Sequence, residues 1–140
     1  MPMLDLVLLI DDDDTTNFLN KRLLEEMQVA KEILVFNNGK GAIEYLSEAC
    51  SEGEASDKRC PDLIFLDIKM PVMDGFSFLD EYQRRNLDSK DHVIIMMLTS
   101  SASFYDLERL KNYSRVKKHY SKTLTKHDVQ EVLQQFFDKN

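Results

Sequence analysis

The chain has 140 residues, of which 43% are hydrophobic and 31% charged, the size and composition of one globular domain with a core of its own. Its 18 basic and 25 acidic residues leave a net charge of −7, which argues against a nucleic-acid binder. No apolar run approaches the ~20 residues that span a bilayer. The start, Met1-Pro2-Met3-Leu4-Asp5, lacks a basic segment followed by an apolar one, so a cytoplasmic protein without membrane contact is expected.

Leu6 to Ile10 is an unbroken apolar run that ends in four consecutive acids, Asp11 to Asp14. Such runs predict strands buried on both faces of a parallel sheet, and Ile33–Phe36, Leu63–Leu66 and Val93–Leu98 have the same character. Segments of helical period separate them: Leu19, Leu23 and Met27; Ala42, Leu46 and Ala49; Gly75, Leu79 and Tyr82; then Phe104, Leu107 and Leu110. A fifth, weaker strand over Val116–Tyr120 carries Lys117 and Lys118, which suits a sheet edge. Val129, Val132, Leu133 and Phe136 mark the last helix, opened by the cap-like Thr125-Lys126-His127-Asp128. Five strands alternating with five helices predict a doubly wound α/β sheet with right-handed crossovers, in one domain over 1–140 with its core at about 4–138. The polar stretch at about 51–60 reads as a surface loop. Cys50 and Cys60 flank it in neither a CxxC nor a zinc-ligand pattern, and reduced thiols without a role are expected.

In open α/β sheets functional groups gather beyond the carboxyl ends of the strands. Those ends carry Asp11 and Asp12 after strand one, Asp67 after strand three, Thr99 after strand four and Lys122 after strand five. Three converging carboxylates repel one another, and burial adds to the cost. A hard divalent cation with oxygen ligands, Mg²⁺ or Mn²⁺, makes such a cluster tolerable. With a hydroxyl and an ammonium added, the set can hold a transferring phosphoryl group. Taken singly, an acid after a strand is often only a helix cap, and Asp13 or Asp14 is expected to cap the first helix.

The run Leu66-Asp67-Ile68-Lys69-Met70-Pro71-Val72-Met73-Asp74-Gly75 resembles the phosphoacceptor segment of response-regulator receiver domains of two-component signalling. The acid pair Asp11-Asp12, the pair Thr99-Ser100 and the late lysine agree with it, and the resemblance extends from Leu6 to about Phe137. It implies a flavodoxin-like receiver with strand order 2-1-3-4-5, of the stand-alone kind found in chemotaxis. It further implies that Asp67 accepts a phosphoryl group from a histidine kinase or histidine phosphotransfer protein. Asp11, Asp12, Asp67 and the Lys69 carbonyl would bind Mg²⁺, while Thr99 and Lys122 would engage the phosphoryl oxygens. The surface of helix four, strand five and helix five would then switch its preference for a downstream protein target, and two copies could pair through it. Such a protein catalyses its own phosphorylation and dephosphorylation and is not a turnover enzyme. Lys69 and Ser101 occupy the positions that tune phosphoryl lifetime in relatives.

The sequence departs from the family at three points. The late lysine is followed by Thr123 where relatives have proline in a cis bond; since a cis bond to threonine costs about 3–4 kcal/mol, a trans bond is expected. The switch aromatic usually lies three residues before the lysine, which here is His119, with Tyr120 one residue later and on the opposite strand face. The small Gly-Ala pair that usually precedes strand five is replaced by Asn112-Tyr113-Ser114-Arg115. Two alternatives remain at this stage: a receiver scaffold that is never phosphorylated, and a haloacid-dehalogenase-type phosphatase using Asp11, because Asp11–Thr15 satisfies DxDxT. A flavin binder is excluded, as four acids stand where its phosphate loop would be.

Overall fold

The computed structural model describes residues 4–50, 58–87, 93–100 and 103–137. Along the chain run β1 (Leu4–Ile10), α1 (Asp14–Glu26), β2 (Ala30–Phe36), α2 (Gly39–Ala49) and β3 (Leu63–Asp67), followed by α3 (Gly75–Arg84), β4 (Ile94–Thr99), α4 (Phe104–Leu110), β5 (Val116–Ser121) and α5 (Lys126–Phe136). All strand pairs are parallel and the order is β2-β1-β3-β4-β5, which is the predicted doubly wound topology.

The alternation of side chains along each strand divides the core in two. Leu6, Leu8, Ile64, Leu66, Ile95 and Met97 pack with Ile43, Leu46, Phe78 and Leu79 of α2 and α3. Val7, Leu9, Phe65, Met96 and Leu98 pack with Leu24 of α1 and Val129, Val132 and Leu133 of α5. The runs in β1, β3 and β4 are apolar throughout because both faces of those strands are covered. β2 differs from the sequence expectation. As the outer strand beside β1 it is only half covered, and Val35 is exposed.

Helix starts follow their capping residues. Asp13 accepts from the Thr15 amide and from the Thr16 hydroxyl, and Thr125 with Asp128 forms a reciprocal capping box. In α1 the expected stripe of Leu19, Leu23 and Met27 is not the buried one. Leu19 is 42% exposed, and the buried face is Thr16, Asn17, Asn20 and Leu24. The first turns of α1 lean on loop backbone instead of on apolar side chains, which is why the face begins polar.

Two further expectations are corrected. Cys50 and Cys60 form a disulfide, with Cα atoms 4.9 Å apart. The end of α2 and the approach to β3 bring them within bridging distance, which spacing in sequence does not reveal. The Lys122–Thr123 peptide is cis, not trans. Its surroundings fix the chain on both sides: the Lys122 amide donates to the Thr99 carbonyl at 3.2 Å and the Leu124 amide to Asn20 Oδ1 at 3.0 Å.

Candidate functional site

β1 and β3 are neighbours, while the connections after them leave to opposite sides of the sheet. A crevice therefore opens beyond their carboxyl ends. Asp11 directly follows β1 and Asp67 ends β3. Carboxylate oxygens of Asp11, Asp12 and Asp67 all lie within 4.8 Å of one another. Asp11 and Asp67 are buried, Asp67 to 1% exposure, whereas Asp12 faces solvent.

Lys122 reaches into this cluster from the turn after β5. Its Nζ stands 3.0 Å from Asp67 Oδ2 and donates to Asp11 Oδ1 at 3.2 Å. The ammonium, 16% exposed, thus bridges the two buried carboxylates. Burial alone would lower the lysine's pKa, but the hydrogen bonds to Asp67 and Asp11 outweigh it and raise it. Burial likewise dominates at Asp67, pushing its carboxyl up to about 6 against the opposing pull of Lys122 and with a further push from the Asp11 charge.

The backbone holds these groups in place. Asp11 Oδ1 accepts from the Asp13 amide at 2.9 Å, and Asp67 Oδ1 from the Lys69 amide at 3.2 Å. Behind Asp67 the loop turns tightly into α3, with the Gly75 amide donating to the Ile68 carbonyl at 2.7 Å. A Cβ on Gly75 would stand 2.7 Å from the Asp67 carbonyl oxygen and 2.9 Å from Ile68 Cα. Glycine is required there by close approach and not by a positive φ. Thr99, at the end of β4, is buried, and its carbonyl receives the Lys122 amide.

Asp11, Asp12, Asp67 and Lys122 are thus brought together, with Thr99 on the adjoining strand end. His119 and Tyr120 face opposite ways. Tyr120 is buried toward α5, and its hydroxyl donates to Glu131 Oε1 at 2.8 Å, an oxygen that also receives Lys118 Nζ at 2.7 Å. His119 is exposed and lines a groove of about 390 Å³ with Phe104, Leu107 and Val116 between β5 and α4. Ser101 lies outside the described residues. Asn17 and Asn20 were not singled out from the sequence. Their signal is two amides spaced i, i+3 on a helix whose apolar period is Leu19, Leu23 and Met27.

The donor set fits a hard divalent cation: three carboxylates stand within one ion's reach, Asp11 and Asp67 buried, with the Lys122 ammonium 3.1 Å from Asp11 Oδ2 as their counter-charge. The DxDxT alternative fails locally, since Asp13 is committed to capping α1.

A parallel 2-1-3-4-5 sheet with clustered acids and a lysine beyond its carboxyl edge is the architecture of a receiver domain. The response regulator receiver domain model matches residues 7–136, and the chain belongs to that family, a family of signalling modules and not of turnover enzymes. Among relatives, Response regulator Rcp1 of Synechocystis sp. is 28% identical over 94 residues, covering 67% of this chain and 61% of that protein. The probable methanogenesis regulatory protein FilR2 of Methanothrix harundinacea is 25% identical over 130 residues, 93% of this chain and 79% of that one. Among solved structures, a two-component response regulator from Cytophaga hutchinsonii superposes with a TM-score of 0.83 at 30% identity, covering 96% of this chain and 98% of that one. The receiver domain of the histidine kinase CKI1 from Arabidopsis thaliana, complexed with Mg²⁺ and BeF₃⁻, shares the fold at TM-score 0.77 and 21% identity, with 94% and 91% covered. No helix among the described residues is long and apolar enough to cross a membrane.

Proposed function

We propose that the chain is a phospho-accepting receiver whose Asp67 takes a phosphoryl group from a histidine kinase or histidine phosphotransfer protein. The observation that carries this reading is the buried Asp67 carboxylate, held 3.0 Å from Lys122 Nζ and within one cation's reach of Asp11 and Asp12. A carboxylate is a poor nucleophile toward an anionic phosphorus centre, so positioning and charge neutralisation must supply the rate. Asp11, Asp12, Asp67 and the Lys69 carbonyl would hold Mg²⁺ or Mn²⁺, which supplies positive charge to the phosphoryl oxygens. An Asp67 carboxylate oxygen attacks phosphorus, the donor's P–N bond to imidazole (or P–O bond in acetyl phosphate) breaks, and the leaving group departs with that electron pair. Lys122 then shifts from Asp11 and Asp67 toward the new phosphoryl oxygens, and the Thr99 hydroxyl donates to them.

The phosphoryl group brings about −1.5 to −2 charges and strong acceptors to this end of the sheet. The His119-lined groove between α4 and β5 is the surface proposed to respond and to engage a downstream protein target, with His119 in the switch position and Tyr120 tied to α5. Pairing of two copies through the same face is compatible with its exposed Phe104 and Tyr105.

The test is incubation with radiolabelled acetyl phosphate and Mg²⁺. Label that appears on the wild type and is lost both in Asp67→Asn and on chelation supports the proposal. Absence of label from the wild type, with acetyl phosphate and with a panel of kinases alike, would make this chain a scaffold and overturn it.

A further inference from the structure

The buried polar face of α1 makes two hydrogen bonds that packing alone does not call for. Asn17 Nδ2 donates to the Asp11 carbonyl at 2.7 Å, and Asn20 Oδ1 accepts from the Leu124 amide at 3.0 Å. Both side chains are buried, at 3% and 1% exposure. The partners fix each amide's orientation: a carbonyl can only accept and an N–H can only donate. The other half of each amide, Asn17 Oδ1 and Asn20 Nδ2, is buried with no hydrogen-bond partner among the described residues. Burying a half-satisfied amide is unfavourable where an apolar side chain would pack at no such cost. The bonds that are made must therefore account for the asparagines.

Those bonds reach two of the segments that build the site, the Asp11 corner after β1 and the Lys122 turn after β5. Asp11 is fixed on its amide side by the Phe36 carbonyl and on its carbonyl side by Asn17. The turn carrying Lys122 is fixed at the Lys122 amide by Thr99 and at the Leu124 amide by Asn20. Residues three apart lie on one helix face, so a single rigid turn of α1 holds both loops. Lys122 also ties the two segments through its ion pair with Asp11, and ties its own turn to the end of β3 through Asp67. Those are the contacts that must rearrange when Lys122 turns toward a phosphoryl group.

We infer that Asn17 and Asn20 are positioning residues, a strut on α1 that keeps the acid corner and the Lys122 turn in register while the ion pairs between them exchange. The inference rests on the phosphoacceptor reading above and assigns separate tasks. Asn17 serves the acids, and hence cation affinity; Asn20 serves Lys122, and hence the transfer step.

The test compares Asn17→Ala and Asn20→Ala with wild type by calorimetric titration of unphosphorylated protein with Mg²⁺, and by labelling from acetyl phosphate at saturating Mg²⁺. Asn17→Ala should weaken Mg²⁺ binding about tenfold, as loss of a partner behind a metal ligand does, with Asn20→Ala within about twofold of wild type. Asn20→Ala should label about tenfold more slowly at saturating Mg²⁺, with Asn17→Ala within about twofold. Folded variants that leave both measurements unchanged would overturn the inference, as would two variants that lower both in step with their loss of thermal stability. If an alanine variant does not fold, the serine variant, which keeps a hydroxyl able to donate or accept, takes the same assays. Failure of the serine variants to fold at both positions would assign the pair to the fold and overturn the inference. A wild type that neither binds Mg²⁺ nor labels removes the underlying reading instead, which separates the two failures.

Discussion

Replacing Gly75 by alanine tests how tightly the phosphoacceptor loop is packed. The added methyl would stand 2.7 Å from the Asp67 carbonyl oxygen, 2.9 Å from Ile68 Cα and 3.1 Å from Met97 Cε, against about 3.5 Å for an unstrained contact. Two of the three obstacles are backbone, and that backbone cannot rotate away. The Ile68 amide is bonded to the Leu98 carbonyl, and the Ile68 carbonyl receives the Gly75 amide. Either α3 lifts from β3 or the Asp67 peptide moves. Overpacking of this kind costs about 1–3 kcal/mol, partly offset by alanine's better helix propensity, up to about 1 kcal/mol. A net loss of about 1–2 kcal/mol lowers the melting temperature by about 3–10 °C in a domain of this size. Gly41→Ala is the control. There the nearest atoms to the Cβ would be Asn38 Oδ1 at 3.3 Å, Phe36 Cδ1 at 3.7 Å and Asn38 Cγ at 3.9 Å, all in side chains, so that variant should stay within about 1 kcal/mol of wild type. Thermal and urea denaturation of both variants, with labelling of Asp67 measured in parallel, checks the argument. A Gly75→Ala protein as stable as Gly41→Ala, and labelled at the wild-type rate, would refute it.

Removing the ammonium in Lys122→Met leaves the Asp11 and Asp67 carboxylates buried and facing each other; a loss of about 3–5 kcal/mol near neutral pH is expected in urea denaturation with chelator present. Added Mg²⁺ should restore part of it, since a ligand of the native state alone stabilises that state; no loss on removing the lysine would refute the ion-pair argument. Asp67→Asn should be more stable than wild type at about pH 7 without divalent cations, by about 1–3 kcal/mol. The native carboxyl is held at about 6 against an ordinary 3.8, so the folded state binds the proton more tightly. Its penalty is full above about pH 6, shrinks between about pH 6 and pH 4, and is absent below; a stability gap that widens on acidification would show the sign to be wrong. Reducing the Cys50–Cys60 disulfide, which links residues 10 apart in sequence, should cost about 2–3 kcal/mol in urea midpoint comparisons. Labelling of Asp67 should be unaffected, because the bridge lies toward the opposite ends of the strands.

The order of elements is legible because most of them announce themselves locally. The runs in β1, β3 and β4 are apolar at every position, as strands covered on both faces must be, and the Asp13 and Thr125 caps mark helix starts by residue type alone. The clustering of Asp11, Asp12, Asp67 and Lys122 followed from topology, since parallel strands deliver their carboxyl ends to one edge. What the sequence does not show depends on which segments meet in space. Leu19 is exposed and Asn20 buried because α1 leans on the backbone at Asp11 and Leu124, the latter 104 residues away. Tyr120 is bound to α5 through Glu131, and His119 left to the α4 groove, only by the way β5 lies against its neighbours.

The sequence by itself therefore determined the order of elements, the strand ends that carry charge and the family to which they belong, because periodicity, capping and the Asp67–Gly75 run are local. Tertiary structure alone decided the cis bond after Lys122, the Cys50–Cys60 bridge and the asparagine strut. Each depends on segments meeting in space, where distance and hydrogen-bond geometry decide what the residue types present can form.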